Sequence, residues 1–110
     1  MDERARKIGE NEALYRSVNE KIEDLNQTFG LLAESMTIVC ECGRLECSEQ
    51  IQLDIPTYER VRSNPTHFVA LPGHELPEVE TVVERHEGYI VLRKDPGGPA
   101  ELAREMDPRS

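Results

Sequence analysis

All three cysteines of the chain fall within eight consecutive positions, CECGRLEC at 40–47. In a reducing compartment an odd, tightly spaced thiol set reads as metal ligands before it reads as disulfides. Cys40 and Cys42 are two residues apart, so on an extended strand they share a face. Gly43 allows a sharp reversal that returns Cys47 to them. Zinc accepts a tetrahedral set of sulfur and nitrogen donors, and three thiolates leave one position open. Three histidines can supply it, His67, His74 and His86. His74 is the best placed, because Pro72 and Gly73 turn the backbone just before it and aim the ring. Glu75 is the nearest carboxylate that could orient that ring. The expected site is therefore Cys40, Cys42, Cys47 and His74 around a structural zinc ion.

Two other readings of the cluster stay open. Free cysteine behaves as a small hydrophobe, so the three thiols could be core. Against that stand Glu41, Gly43, Arg44, Glu46 and Ser48, which make the segment a polar turn. The alternative with chemical consequences is a thiol-based redox sensor or oxidoreductase using the same three residues.

Composition explains why a staple would matter. The chain has 110 residues, 37% of them hydrophobic, with two Phe, three Tyr and no Trp. Such a core is thin, and small domains with thin cores need reinforcement. The formal net charge of -9 is spread along the whole length. That surface repels phosphate and anionic lipid, which disfavours direct binding to nucleic acid or membrane. A basic protein partner is electrostatically favoured instead. The charged opening MDERARKIGENEALYR has no apolar leader region, and no run approaches a membrane span, so the expected compartment is the cytoplasm.

The chain divides into three expected sections: a helix over 1–35, a small β-rich zinc-binding domain over 36–94, and a mobile tail over 95–110 with at most a helical turn over 100–106. In the helix, Ile8, Asn11, Tyr15, Val18, Ile22, Leu25, Phe29 and Leu32 follow alternating steps of three and four. Leu14 widens the stripe. Positions 11–34 would span roughly 36 Å, more than a body of this size needs. The stripe from Tyr15 to Leu32 is accordingly expected to meet a protein partner or a second copy, with folding back onto the body as the competing outcome. In the body, TIVCE and EQIQLDI read as a hairpin around the cysteine turn. DIPTYERVRSNP reads as a two-turn helix capped by Asp54, and HFVAL as a strand. ETVVERHEGYIVLRK reads as a second hairpin turning at Gly88. The fold class is α+β, a long amphipathic helix followed by a β-rich, zinc-stapled body with one short helix.

No catalytic constellation is visible. HELPE at 74–78 lacks the second histidine of a metalloprotease helix, and Pro77 breaks the helical spacing. There is no glycine-rich phosphate loop and no nucleophile elbow. NEALYRSVNEKI, CECGRLEC and FVALPGHE together resemble a group of small bacterial proteins with a leading helix, a C-x-C-G-x3-C turn and a P-G-H-E segment. The likeness covers roughly residues 8–94. It implies one coherent module in which Cys40, Cys42, Cys47 and His74 form a single site, and it implies no activity. The expected function is a non-enzymatic interaction or regulatory module.

Overall fold

The computed structural model describes residues 1–29 and 35–109. Leu32 lies outside the described residues, as does the side chain of Phe29. The architecture is α+β. Helix α1 (Glu3–Phe29) leads into an antiparallel hairpin of β1 (Ser35–Val39) and β2 (Gln50–Asp54). Helix α2 (Ile55–Arg62) follows, then β3 (His67–Ala70), β4 (Glu80–His86), β5 (Tyr89–Lys94) and α3 (Gly98–Glu105). The last three strands form an antiparallel sheet in the order β3-β5-β4.

Local chemistry accounts for these elements. In β1 and β2 buried and exposed residues alternate, and the register sets Met36 opposite Leu53 and Ile38 opposite Ile51. Period-two patterning of this kind fixes which face a strand buries. The Asp54 carboxylate accepts the Thr57 amide at 2.7 Å, and Pro56 occupies the first turn, so α2 starts there. Tyr58 and Val61 then point inward together. Gly88 turns the β4–β5 hairpin. The main apolar cluster joins Met36, Ile38, Ile51 and Leu53 to Tyr58, Val61, Phe68, Val69, Ile90 and Leu92, and it includes Cys40 and Cys42.

Two segments differ from the expectation. The tail, expected to be mobile, contains α3, whose Ala100, Leu102 and Ala103 are buried. Three small or medium apolar residues on one face, started by Pro99, are enough when α1 and β5 supply the opposing surface. In α1 the competing outcome for the stripe, folding back onto the body, is met only in part, because the helix docks by another face. Its inward ridge is Glu12, Arg16, Asn19 and Glu23, all buried, with Ile8 and Ala13 beside them. Of the apolar stripe, Tyr15 and Ile22 are half-buried, whereas Leu14, Val18 and Leu25 are 54%, 39% and 58% exposed.

The polar ridge works because each charge finds a partner in the body. Lys94 Nζ donates to Glu12 at 2.5 Å and to Glu80 at 3.2 Å, with all three side chains buried. Arg16 donates to the Pro65 and Ala103 carbonyls at 2.6 and 2.8 Å while lying over the Phe68 ring. Arg109 reaches Glu20, Glu23 and Glu59, tying the end of the chain to α1 and α2. No helix among the described residues is long and apolar enough to cross a membrane.

Candidate metal centre

The cysteine segment begins where β1 ends. The Cys40 amide donates to the Glu49 carbonyl at 2.9 Å, prolonging the hairpin by one rung. The next amide, Glu41, donates to Val69 of β3 at 2.8 Å. The segment is therefore pinned to both sheets at once, and Cys40 and Cys42 project to one side of it. The turn closes with the Cys47 amide on the Arg44 carbonyl at 3.1 Å, which brings the third thiol back.

The fourth donor arrives from the other side. After β3 the chain runs Leu71-Pro72-Gly73-His74, and the His74 amide donates to Leu71 O at 3.0 Å. Gly73 has φ of 87°. Pro at the second position and a positive φ at the third define a type II turn, in which glycine carries no steric cost. This turn aims the imidazole at the thiols. His74 Nδ1 lies 3.6 Å from Cys40 Sγ and 3.7 Å from Cys47 Sγ. All four donor atoms lie within 4.8 Å of one another.

Those separations suit a metal ion. With metal–sulfur bonds near 2.3 Å and a metal–nitrogen bond near 2.0 Å, a tetrahedron requires sulfur–nitrogen edges of about 3.5 Å. The arrangement has a mouth as well as a floor: Cys40 and Cys42 are buried, Cys47 and His74 half-buried. The Leu71 amide also points at Cys40 Sγ, at 3.3 Å. Among the thiols, the Cys40–Cys42 hydrogen bond holds Cys42 down to about 5, helped by the Arg44 amide, His74 and Cys47. The same contact, with burial, pushes Cys40 well up, and burial raises Cys47. A divalent cation would displace the protons these sulfurs share, since only deprotonated thiols ligate.

The other two histidines are engaged elsewhere. His86 Nε2 lies 2.7 Å from Glu84 and its ring stacks on Tyr89 in the second hairpin. His67 sits in β3 opposite Arg93. Glu75 leaves a buried Oε1 without a hydrogen-bond partner among the described residues.

Two features escaped the sequence analysis. Gly43 does not adopt the left-handed conformation expected of a sharp reversal. It is required for space, because a Cβ there would collide with Ile8 Cγ2 and come within 3.1 Å of Leu76 Cδ1. The second is Glu41, fully buried between two thiols and facing away from them. Its carboxylate accepts Asn19 at 2.9 Å, Tyr58 at 2.7 Å and the Val69 amide at 3.0 Å. Burial raises its pKa and those donors oppose the rise. It joins α1, α2 and β3 directly behind the donor set. Only the alternation of the strand places Glu41 opposite the cysteines, and nothing in the sequence marks it as buried.

Beside the turn, α1 and residues 43–46 frame an open cleft of about 730 Å³, with Ile8 and Leu76 on its floor and Lys7 and Arg44 on its rim. No family model matches the chain, and no curated protein or solved structure matches it either.

Proposed function

We propose that the protein is a non-enzymatic, zinc-stabilised interaction module. The observation that supports this reading is the convergence of Cys40, Cys42, Cys47 and His74, with every donor within 4.8 Å of the others. Three thiolates and an imidazole match the preference of zinc, and four protein ligands complete its tetrahedral shell. A closed shell leaves no position for a water nucleophile, so the ion stabilises without catalysing. It joins the end of β1, the turn and the loop after β3, which suits a chain with so few large apolar residues. The interaction half of the proposal draws on α1, where Leu14, Val18 and Leu25 stay exposed along one side. That side would meet a basic protein or a second copy of the chain. The test is elemental analysis of protein purified without added metal. The proposal expects about one zinc per chain; a metal-free sample that is fully folded would contradict it.

A redox role for the same thiols is the second reading, favoured by the partial exposure of Cys47. Mild peroxide separates the two. A redox sensor loses titratable thiols reversibly and changes association, whereas a closed zinc shell resists.

A further inference from the structure

The backbone of the metal turn has little to hold it in place by itself. Between Cys42 and Cys47 it closes a single backbone hydrogen bond, Cys47 to Arg44. Two further carbonyls, those of Gly43 and Leu45, are taken by α1. Asn11, Tyr15 and Asn19 stand four residues apart and so lie along one ridge of the helix. Asn11 Nδ2 donates to the Gly43 carbonyl at 3.1 Å. The Tyr15 hydroxyl donates to the Leu45 carbonyl at 2.7 Å and lies 3.4 Å from that of Arg44. One turn further on, Asn19 grips Val39 through both its N–H and its C=O, each at 2.8 Å. All these partners fall in residues 39–45, the segment that carries Cys40 and Cys42. Gly43 lets the helix come this close, since any side chain there would strike Ile8.

The rest of the α1 seam is mainly polar. Among the described residues the main apolar cluster takes half-buried Ile22 from α1, while Ile8 and Ala13 are buried outside it. The buried charges of the seam leave Glu12 Oε2, Arg16 Nε and Glu23 Oε2 without hydrogen-bond partners among the described residues. Buried ion pairs recover little more than their own desolvation cost. The position of the turn is thus set largely by α1, whose own register the seam fixes.

We propose that α1 is a clamp on the metal turn, with Asn11 and Tyr15 as positioning residues for the ligand shell. They touch no ligand atom. They hold the Gly43 and Leu45 carbonyls, and so the spacing between Cys42 and Cys47, at the separation a tetrahedral ion needs. Docking of α1 and retention of the ion then favour one another, and by linkage each strengthens the other by the same factor. Lifting α1 off the body makes the ion labile, which turns the helix into a control on metal release. This inference rests on the metal reading above.

The test compares the full-length protein with Tyr15→Phe, Asn11→Ala, the double variant, and Val61→Ala as a control. Val61→Ala weakens the core at a side chain that makes no hydrogen bond to the turn, and reports how far general destabilisation alone loosens metal. Zinc dissociation is followed by transfer to a chromophoric chelator, and the ligand field is read after loading with cobalt(II). A net hydrogen bond corresponds to roughly a twofold to tenfold change in an equilibrium constant. The single variants should each release zinc about threefold faster than the control, and the double variant about tenfold faster. The cobalt(II) bands should shift in the double variant and remain unchanged in Val61→Ala. Tyr15→Phe removes one oxygen atom at a partly exposed position, so this arm does not depend on a folding-defective protein. Release from the double variant within twofold of the control, or unshifted cobalt(II) bands, overturns the clamp while leaving the zinc reading intact. Failure of the unaltered protein to bind either metal overturns the zinc reading first, and the clamp with it.

Discussion

The metal turn and the α1 seam are both polar, both adjoin the core, and are held by opposite strategies. At the turn a few atoms converge on one point, and two of the four donors sit in the main apolar cluster. A single ion there can satisfy every donor. Along the seam, Glu12, Arg16, Asn19 and Glu23 are spread over three turns of helix and are answered one at a time by Lys94, by the Ala103 and Pro65 carbonyls, by Val39 and Glu41, and by Arg109. Some of their atoms find no partner among the described residues. A concentrated site gives stability, because one binding event organises several chain segments. A distributed polar seam gives register more than stability, because each buried charge must be matched in one place and no other alignment matches them all.

The comparison can be broken by substitution. Cys42→Ser removes a buried donor of the proposed zinc shell, and structural zinc sites contribute about 10 kcal/mol or more of folding free energy. That exceeds what a domain of this size can lose, so circular dichroism should report an unfolded chain that retains no zinc. A cooperatively melting, zinc-free variant would show that the turn stands without its ion. Next in size is Lys94→Met. It strands the Glu12 and Glu80 carboxylates together in the interior, and breaking a buried charge pair in this way costs about 3–5 kcal/mol. Urea unfolding of the zinc-loaded variant measures the loss. A change under 1 kcal/mol would mean that water reaches those carboxylates and the seam is not sealed.

A smaller effect comes from pH. Burial pushes Glu23 up to about 7, with a hydrogen bond to Glu59 acting in the same direction. Glu12, buried beside Glu80, is also raised. Between the ordinary carboxylate value near 4.3 and about 7, the folded chain therefore holds protons that the unfolded chain has released. Stability tied to these groups is present at the acid end of that window and declines as pH rises through it. Arg109 draws Glu59 down, which acts below that window and leaves the direction unchanged, so the expected decline is about 1–2 kcal/mol. Glu23→Gln should flatten the profile between pH 5 and about 7. An unchanged slope would assign the decline to other groups. Smallest of all is Leu25→Asp, on the exposed side of α1. It should move stability by no more than about 0.5 kcal/mol. If that side is an interface, sedimentation or partner capture should change while the melt does not.

What could be read from the sequence divides along the same line. The two hairpins, the Asp54-capped helix and the aim of His74 follow from local rules: alternation, a cap, and a Pro-Gly turn ahead of the ring. The docking face of α1 does not. Heptad spacing marks Val18 and Leu25 as a surface for a partner, a second copy or the body, and gives no sign that α1 turns Glu12 and Asn19 towards Lys94 and the Glu41–Tyr58 pair. The value of a buried charge depends on a partner distant in sequence, here as far as Glu12 from Lys94, and no local pattern carries that information. The helix α3 showed in the sequence as no more than a turn over 100–106, for a related reason. Its Ala100, Leu102 and Ala103 are too few to announce an amphipathic helix, and they acquire a role only once α1 and β5 stand opposite. The bend at Gly43 that returns Cys47 was legible, whereas its second role, as a contact point for Ile8, was not.

X-ray absorption at the zinc edge of protein purified without added metal tests the central claim most directly. A shell of three sulfur atoms near 2.3 Å and one nitrogen near 2.0 Å is the predicted result. No zinc in folded protein, or a shell rich in light atoms with fewer than three sulfurs, would contradict it.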